Sequence, residues 1–317
     1  MTFGSRLGKV SKLPLLSPYQ KRSFLTCRQP MHNQAYRHIL YALLLWATSG
    51  IVMAQQRPYG EVGIAVGGMN YIGDLNNQSM LGRVNMAGEV FFRYNINNRW
   101  AVHIGGAYGH IEGGNPDVQP LRNLSFRSAV WEGSVRAEFN FVSFGLSTVE
   151  YPFTPYLFAG LGVLGFNPKA QYTDPATGTT SWVALEPLGT EGQHSDLCPD
   201  VYPYNLLTVC MPFGLGFKFR PSKVFSVAIE YGFRKTWTDY LDDVSTVYVD
   251  PAVFADNPTA AALYDRAAEL DGGTRNSTGT QRGDDSLNDW YSFFNVSIAI
   301  SGEILFGWTR SKRCTTD

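Results

Sequence analysis

Strict alternation of apolar and polar residues is the feature of this sequence that most constrains its fold. In residues 208–220, TVCMPFGLGFKFR, every second residue from Val209 to Phe219 is apolar, and the residues between them are small or charged. A period of two is typical of β-strands. The pattern recurs in seven further segments, which are residues 59–69, 86–94, 102–110, 128–141, 154–166, 225–234 and 290–301. The chain is therefore predicted to be all-β.

The length of these segments favours a membrane barrel. A tilted membrane strand needs about 9–11 residues, and eight is the smallest bacterial barrel number. Only 17% of the residues are charged, against about 25% in a soluble domain. The alternative is a soluble, lipocalin-like barrel, whose apolar side chains would point inward. Because the polar faces are rich in Gly, Ala and Ser, we expect an eight-stranded antiparallel transmembrane barrel of the outer membrane.

Connection lengths give the orientation. The gaps near residues 70–84, 112–125, 168–206 and 237–288 are long, whereas those near 95–99, 143–153 and 220–223 are short, and the two kinds alternate. Outer-membrane barrels have long extracellular loops and short periplasmic turns. Both ends of the mature chain are thus expected in the periplasm.

Charged residues on the polar faces would line a narrow lumen. Eight strands leave an interior that side chains fill, so we expect opposite charges to pair there. The predicted lumen charges are Glu89, Arg93, Glu132, Arg136, Glu138, Lys218, Glu230 and Arg234.

The N-terminal part resembles a targeting segment. Residues 39–52, ILYALLLWATSGIV, are apolar, follow Arg37 and His38, and precede a small-residue cleavage signal ending at Ala54. This arrangement is typical of a signal peptide, here residues 31–54. An uncleaved anchor is the alternative. Residues 1–30 are interpreted as an upstream extension, and residues 55–317 as one barrel domain.

Charge excludes one class of partner. Residues 1–54 hold seven basic and no acidic residues, so the remaining chain has 19 basic against 27 acidic residues, since the whole sequence has 26 and 27. A body with a net charge of −8 argues against nucleic-acid binding.

The loops contain one helix signal and an odd number of cysteines. Asn257-Pro258, the segment TAAALYDRAAEL and Gly272-Gly273 predict a short extracellular helix with its capping residues. After Ala54 the cysteines are Cys198, Cys210 and Cys314. Cys198 and Cys210 both fall near the predicted extracellular end and are the plausible disulfide pair. Cys314 would remain for a periplasmic partner.

No catalytic, metal-binding or cofactor-binding set is predicted. A lipid-modifying or proteolytic site needs a nucleophile activated by histidine, and His103, His110 and His194 stand apart in the sequence. Several aspartates near residues 239–243 and 284–285 lack calcium-loop spacing. We expect neither an enzyme nor a small-molecule substrate.

Five segments together resemble one known family. They are YIGDL at 71–75, RNLSF at 122–126, FTPYLFAGLGVLGFN at 153–167, WVALEPLGTEGQ at 182–193 and TDYLDDVSTVY at 238–248. In this order they are similar to the PorG-like outer-membrane barrels of the type IX secretion system of Bacteroidota. The resemblance spans almost all of the mature chain, except the tail after Ile304.

The resemblance implies an accessory role in protein export and gliding motility. Such barrels are thought to tie a periplasmic ring, built from a lipoprotein and a soluble partner, to the outer membrane, and are not regarded as the export pore. The contact surface would lie on the periplasmic turns and tail. The candidates are Asn97, Asn98, Arg99, Pro221, Ser222, Lys223, Arg310, Lys312, Arg313 and Cys314.

Two other functions remain open. The long loops could make the protein a surface adhesin or ligand-binding barrel, and a lipid-modifying enzyme is the third alternative. Deleting residues 238–288 would abolish an adhesin's function, whereas an enzyme would respond to single substitutions at His103 or His110.

Overall fold

The computed structural model describes residues 58–76, 83–114, 122–146, 152–270 and 272–302. The upstream extension and the signal peptide, predicted at residues 1–54, lie outside the described residues. So do four of the predicted partner contacts, Arg310, Lys312, Arg313 and Cys314.

Eight strands close into one antiparallel barrel, and the predicted fold class is confirmed. Each strand of the barrel pairs with the next, and the last pairs with the first to close the ring. A ninth short strand, β6, pairs only with the outer end of β5. The strands are β1 (Tyr59–Ile72), β2 (Asn85–Asn95), β3 (Trp100–Gly113), β4 (Phe126–Asn140), β5 (Phe153–Thr173), β6 (Thr180–Ala184), β7 (Leu207–Phe219), β8 (Phe225–Thr236) and β9 (Trp290–Ser301).

The alternating pattern places apolar side chains outside and polar ones inside. On β1, Ile64 and Val66 are 60% and 64% exposed, whereas the neighbouring Glu61 and Ala65 are buried. A soluble barrel would bury its apolar residues, so this orientation removes the lipocalin-like alternative. A closed barrel also satisfies its backbone hydrogen bonds without free edges, as a membrane interior requires.

The apolar outer face has the height of a bilayer core. On the β4 side the outward apolar row runs from Trp131 to Phe141, both exposed. Ten residue steps of about 3.3 Å, tilted by about 40°, give a band of about 25 Å. Trp131 stands opposite Gly165 of β5, and its indole occupies the space that a side chain at residue 165 would fill. In the described part of the chain, no helix is both long and apolar enough to cross a membrane.

The two shortest connections lie at one end of the barrel and the two longest at the other. The connections β2–β3, β4–β5 and β7–β8 span residues 96–99, 141–152 and 220–224, and those at the other end span residues 73–84, 114–125, 174–206 and 237–289. β1 begins and β9 ends on the short-turn side. The predicted alternation is therefore wrong at one connection, because β4–β5 (141–152) has 12 residues, as do β1–β2 (73–84) and β3–β4 (114–125).

The long loops form a folded cap over their end of the barrel. Its described residues include the α-helix α1 (Pro258–Leu263), whose cap residue Asn257 accepts a hydrogen bond from the backbone of Ala260 at 3.1 Å. The helix is shorter than predicted, because Asp265 accepts hydrogen bonds from the backbone N–H groups of Ala267 and Asn276 instead. A separate 3-10 turn follows at Ala267–Glu269.

Replacing Val66 by Arg tests whether the outer wall of the barrel faces lipid or water. Val66 and Leu287 are each 64% exposed, but Val66 is on the barrel wall and Leu287 is in the cap. We expect Val66→Arg to lower the free energy of unfolding in bilayers by about 2–4 kcal/mol. Leu287→Arg, the matched control, should change it by less than about 0.5 kcal/mol. Equal effects of the two substitutions in urea titrations of vesicle-folded protein would contradict a membrane-facing wall.

Candidate functional site

The barrel interior is filled with paired charges. The structure places all eight predicted lumen residues inside the barrel, each less than 10% exposed. They are Glu89, Arg93, Glu132, Arg136, Glu138, Lys218, Glu230 and Arg234. They belong to four strands, β2, β4, β7 and β8, and the alternation that turns apolar residues outward turns these residues toward one another.

Ion pairs at the short-turn end surround Glu61. Arg93 and Arg220 lie 3.2 Å and 2.6 Å from its carboxylate oxygens. Arg93 also lies 2.9 Å from Glu138, which pairs with Lys218 in turn. Each buried carboxylate therefore has two cationic partners, an arrangement that offsets the cost of burying charge.

The middle of the lumen is organised around Arg136. Its guanidinium lies 2.7 Å from Glu230 and 3.2 Å from Glu89. His103 lies between two carboxylates, 2.9 Å from Glu89 and 3.1 Å from Glu138. This histidine is a member of the structural network, as its 1% exposure shows.

Tyrosines and one further pair complete the network towards the loops. Arg234 lies 3.2 Å from Glu132, which also accepts a hydrogen bond from Tyr291 at 2.6 Å. Tyr156 donates to Glu230 at 2.8 Å. Sequence reasoning did not single out these tyrosines, because their hydroxyl partners come from distant strands.

The network is neutral and closes the barrel. In the described strands and turns it contains five carboxylates, Glu61, Glu89, Glu132, Glu138 and Glu230, and five cations, Arg93, Arg136, Lys218, Arg220 and Arg234. An eight-stranded barrel has little interior space beyond its side chains. A lumen packed in this way does not offer a path for protein or solute.

Removing Arg136 should destabilise the barrel strongly. Arg136→Ala leaves Glu89 and Glu230 buried with one cationic contact fewer each, and breaking a buried pair costs about 3–5 kcal/mol. Lys223→Ala, at an exposed turn, should cost less than about 0.5 kcal/mol. Urea unfolding followed by heat-modifiable gel mobility measures both. A loss below 1 kcal/mol for Arg136→Ala would contradict the role assigned to the network.

A second ionic cluster holds the cap together. Arg282 donates to Glu191 at 2.7 Å and to the backbone carbonyl of Asp243 at 2.6 Å. Glu191 accepts from the backbone of Ser245 at 2.9 Å and from the Thr246 hydroxyl at 2.8 Å. Burial raises the pKa of Asp243 to about 6, although Arg282 opposes this shift. Three segments far apart in sequence are joined by these contacts.

Two carboxyl groups share one tyrosine hydroxyl at the base of the cap. The Tyr71 hydroxyl oxygen lies 2.7 Å from Asp242 and 2.6 Å from Asp289. A hydroxyl carries one hydrogen, so it donates to one carboxylate and accepts from the other group, which must be a protonated acid. Burial raises the pKa of both aspartates, and the charge of Asp242 raises that of Asp289 further.

These carboxyl groups should make the cap less stable as pH rises. Asp242 has a pKa near 8 when folded, against the ordinary 3.8. Between these values the folded cap holds a proton that the opened cap releases, so the free energy of opening falls by up to about 1.4 kcal/mol per pH unit for each such proton. Hydrogen exchange of residues 237–246, corrected for intrinsic rates, should therefore accelerate from about pH 5 to about pH 8.

Two variants test this pH dependence. Asp242→Asn cannot ionise and should reduce the slope of the profile, while Asp239, Asp243 and Asp289, whose pKa values burial also raises, keep part of it. Asp285→Asn, at an exposed cap position, should leave it unchanged. A wild-type profile that is flat across this range would contradict the shared-proton arrangement.

The cap also contains an open cavity of about 390 Å³. Its walls come from residues 187–197 and from residues 252–257, and they include His194, Asp196 and Asp256. A ring nitrogen of His194 lies 2.9 Å from the backbone carbonyl oxygen of Glu186. The cavity is mixed in character and could admit a small polar ligand.

The predicted disulfide between Cys198 and Cys210 is not formed, and both thiols are free. Cys210 is buried in β7 with its sulfur over Gly162 on the lumen side. Cys198 lies in the cap beside Gly192. Sequence reasoning placed both residues near the same end of the barrel, but their side chains belong to separate layers of it.

The predicted contact residues of the short turns differ in accessibility. Pro221, Ser222 and Lys223 are exposed. Asn98 is buried, and its side chain donates to the Ser143 hydroxyl at 2.8 Å. Asn97 accepts from the backbone of Arg99 at 2.8 Å, so it shapes its own turn. Of the predicted contact residues that the structure describes, Pro221, Ser222 and Lys223 are the exposed ones.

A closed barrel with an apolar wall, a filled lumen and a folded cap defines a small membrane β-barrel. A family described as a domain of unknown function, DUF6089, matches residues 37–181, which reach from before β1 into β6. No curated protein matches the sequence.

Several solved structures of small barrels are similar in architecture. Neisserial surface protein A (NspA) is 9% identical, covers 77% of this chain and 99% of its own, and has a TM-score of 0.38. Ail, the attachment invasion locus protein of Yersinia pestis, is 10% identical, covers 78% of this chain and 99% of its own, and has a TM-score of 0.36. The outer membrane enzyme PagL is 13% identical, covers 76% of this chain and 98% of its own, and has a TM-score of 0.29.

Proposed function

We propose that the protein is a non-enzymatic outer-membrane barrel of the type IX secretion and gliding machinery, which anchors a periplasmic ring of a lipoprotein and its soluble partner. The observation that carries this proposal is the filled, neutral lumen. A barrel that cannot serve as the pore can act only through its wall, its cap or its short-turn end. Of these, the short-turn end faces the periplasm if the long loops are extracellular.

Residues in the segments that carry the family resemblance have a structural role in the cap. Asp74, in YIGDL, accepts a hydrogen bond from the backbone of Asp284 at 2.6 Å. Asn123, in RNLSF, donates to the carbonyl of Arg266 at 2.7 Å. Glu191 and Asp243, from two further segments, meet through Arg282. These residues hold the cap together, at the end opposite the proposed partner surface.

Enclosure of His103 supports a non-enzymatic role. Its ring nitrogens contact Glu89 and Glu138, and no more than 1% of the residue is exposed. A general base must reach its substrate within hydrogen-bond distance. A lipid or peptide cannot approach this ring without opening the barrel.

A second candidate function is ligand binding at the cell surface. The cavity of about 390 Å³ in the cap favours it, because it lies within the long loops. Deleting residues 238–288 would then abolish binding while secretion continues. Anchoring predicts the opposite dependence, with export lost when the short-turn end is altered.

A crosslinked pull-down of the tagged full chain from outer membranes tests the anchoring proposal. We expect recovery of a periplasmic lipoprotein and its soluble ring partner, read by mass spectrometry. Lys223→Glu reverses a charge on the exposed turn and should lower this recovery about tenfold, equivalent to about 1.4 kcal/mol. Omitting reductant should reveal an additional adduct through Cys314.

The matched control is Asp285→Lys, which reverses an exposed charge at the opposite end. It should leave recovery unchanged. Equal losses for the two variants, or recovery of the barrel alone from wild-type membranes, would contradict the proposed contact.

A further inference from the structure

A basic cleft lies on the outer wall where β3, β4 and β5 approach the cap. It has a volume of about 210 Å³ and is lined by His110, Arg127, Ala129, Lys169 and Trp182. The volume is several times the roughly 30 Å³ share of one water molecule. The cleft is therefore large enough for a small anionic group.

The cleft begins where the apolar wall ends. Tyr108 and Trp131 stand opposite each other as the last aromatic pair on these strands. His110 and Ala129 form the next outward pair, and Arg127 lies four residues beyond Trp131, about 13 Å along the strand. Aromatic residues mark the interface of a bilayer, so Arg127 lies at the level of the lipid headgroups.

Two cations face each other there without an ionic partner. Arg127 and Lys169 are directly opposite on β4 and β5. Like charges in this position are destabilising. Among the described residues, neither side chain forms a salt bridge, and Glu112, opposite Arg127 on β3, forms none with it. The lumen, by contrast, pairs every one of its cations.

An aromatic ring forms the outer edge of the cleft. The Arg127 guanidinium lies 6.0 Å from the centre of the Trp182 ring. Trp182 is on β6, the short strand that extends the sheet beyond the barrel. Stacking on the ring limits the directions available to the guanidinium, and a planar guanidinium can bind phosphate oxygens in bidentate fashion. Lys169 adds a second positive charge within reach of the same group.

We propose that this cleft binds a phosphate group carried by the headgroup of an outer-leaflet glycolipid. An anion between Arg127 and Lys169 would convert their repulsion into two charge-assisted contacts. The acyl chains of such a lipid would lie along the apolar wall below the Tyr108–Trp131 pair. The inference rests on the proposed outer-membrane location and does not depend on the periplasmic contact.

Binding of phosphorylated lipid A to the detergent-folded full chain tests this inference. The comparison ligands are the same lipid without phosphate and inorganic phosphate alone. We expect the phosphorylated lipid to bind at least about tenfold more tightly than either. Equal binding of the dephosphorylated lipid would overturn the phosphate assignment, and equal binding of inorganic phosphate would overturn the lipid assignment.

Substitutions locate the site. The double variant Arg127→Gln with Lys169→Gln should lose about tenfold or more in affinity for the phosphorylated lipid. The matched control is Lys235→Gln, since Lys235 lies 5.8 Å from the Trp290 ring as a cation–aromatic pair elsewhere on the barrel. It should bind as the wild type does. Unchanged binding by the double variant would overturn the site.

Two further measurements keep the result interpretable. The charge-preserving variant Arg127→Lys with Lys169→Arg should retain binding, and its loss in a barrel that still folds by heat-modifiable mobility would overturn the electrostatic basis. The glutamine double variant should recover periplasmic partners in the pull-down as the wild type does. Failure of lipid binding with intact partner recovery removes this inference alone.

Discussion

An eight-stranded barrel cannot leave its interior empty, and the rest of this structure depends on how that interior is filled. Here the fillers are charged residues in equal numbers, held in chains of ion pairs from Glu61 at the turns to Glu132 near the loops. Charges buried in this way are tolerable only when each is paired. This packing of paired charges is what closes the lumen.

The two ends of the barrel are built by different interactions. The cap is a small folded layer, with Arg282 joining Glu191 and Asp243 and with a protonated acid pair at Tyr71. At the other end, the turns at residues 96–99 and 220–224 are short and are shaped by local asparagine and serine hydrogen bonds. The two ends therefore differ in how much folded structure they carry outside the barrel.

The outer wall is more than a passive apolar surface. Its upper margin on β3–β5 carries unpaired cations next to Trp182, whereas the margin near β8 carries Lys235 against Trp290. Charge at headgroup level can interact with anionic lipid without disturbing the apolar band. The cleft beside Trp182 and the short-turn end are therefore different faces of one barrel.

The sequence by itself determined the barrel: a period of two fixes which side chains face lipid, and the two longest connections mark which end is elaborate. It also identified the lumen charges, because inward positions can be counted along each strand. Only the tertiary structure decided the partners, such as Tyr156 with Glu230, and the separation of Cys198 from Cys210. It also decided the meeting of Arg127 and Lys169. Strand register and loop folding bring residues together across many positions, and no local pattern in the chain encodes that proximity.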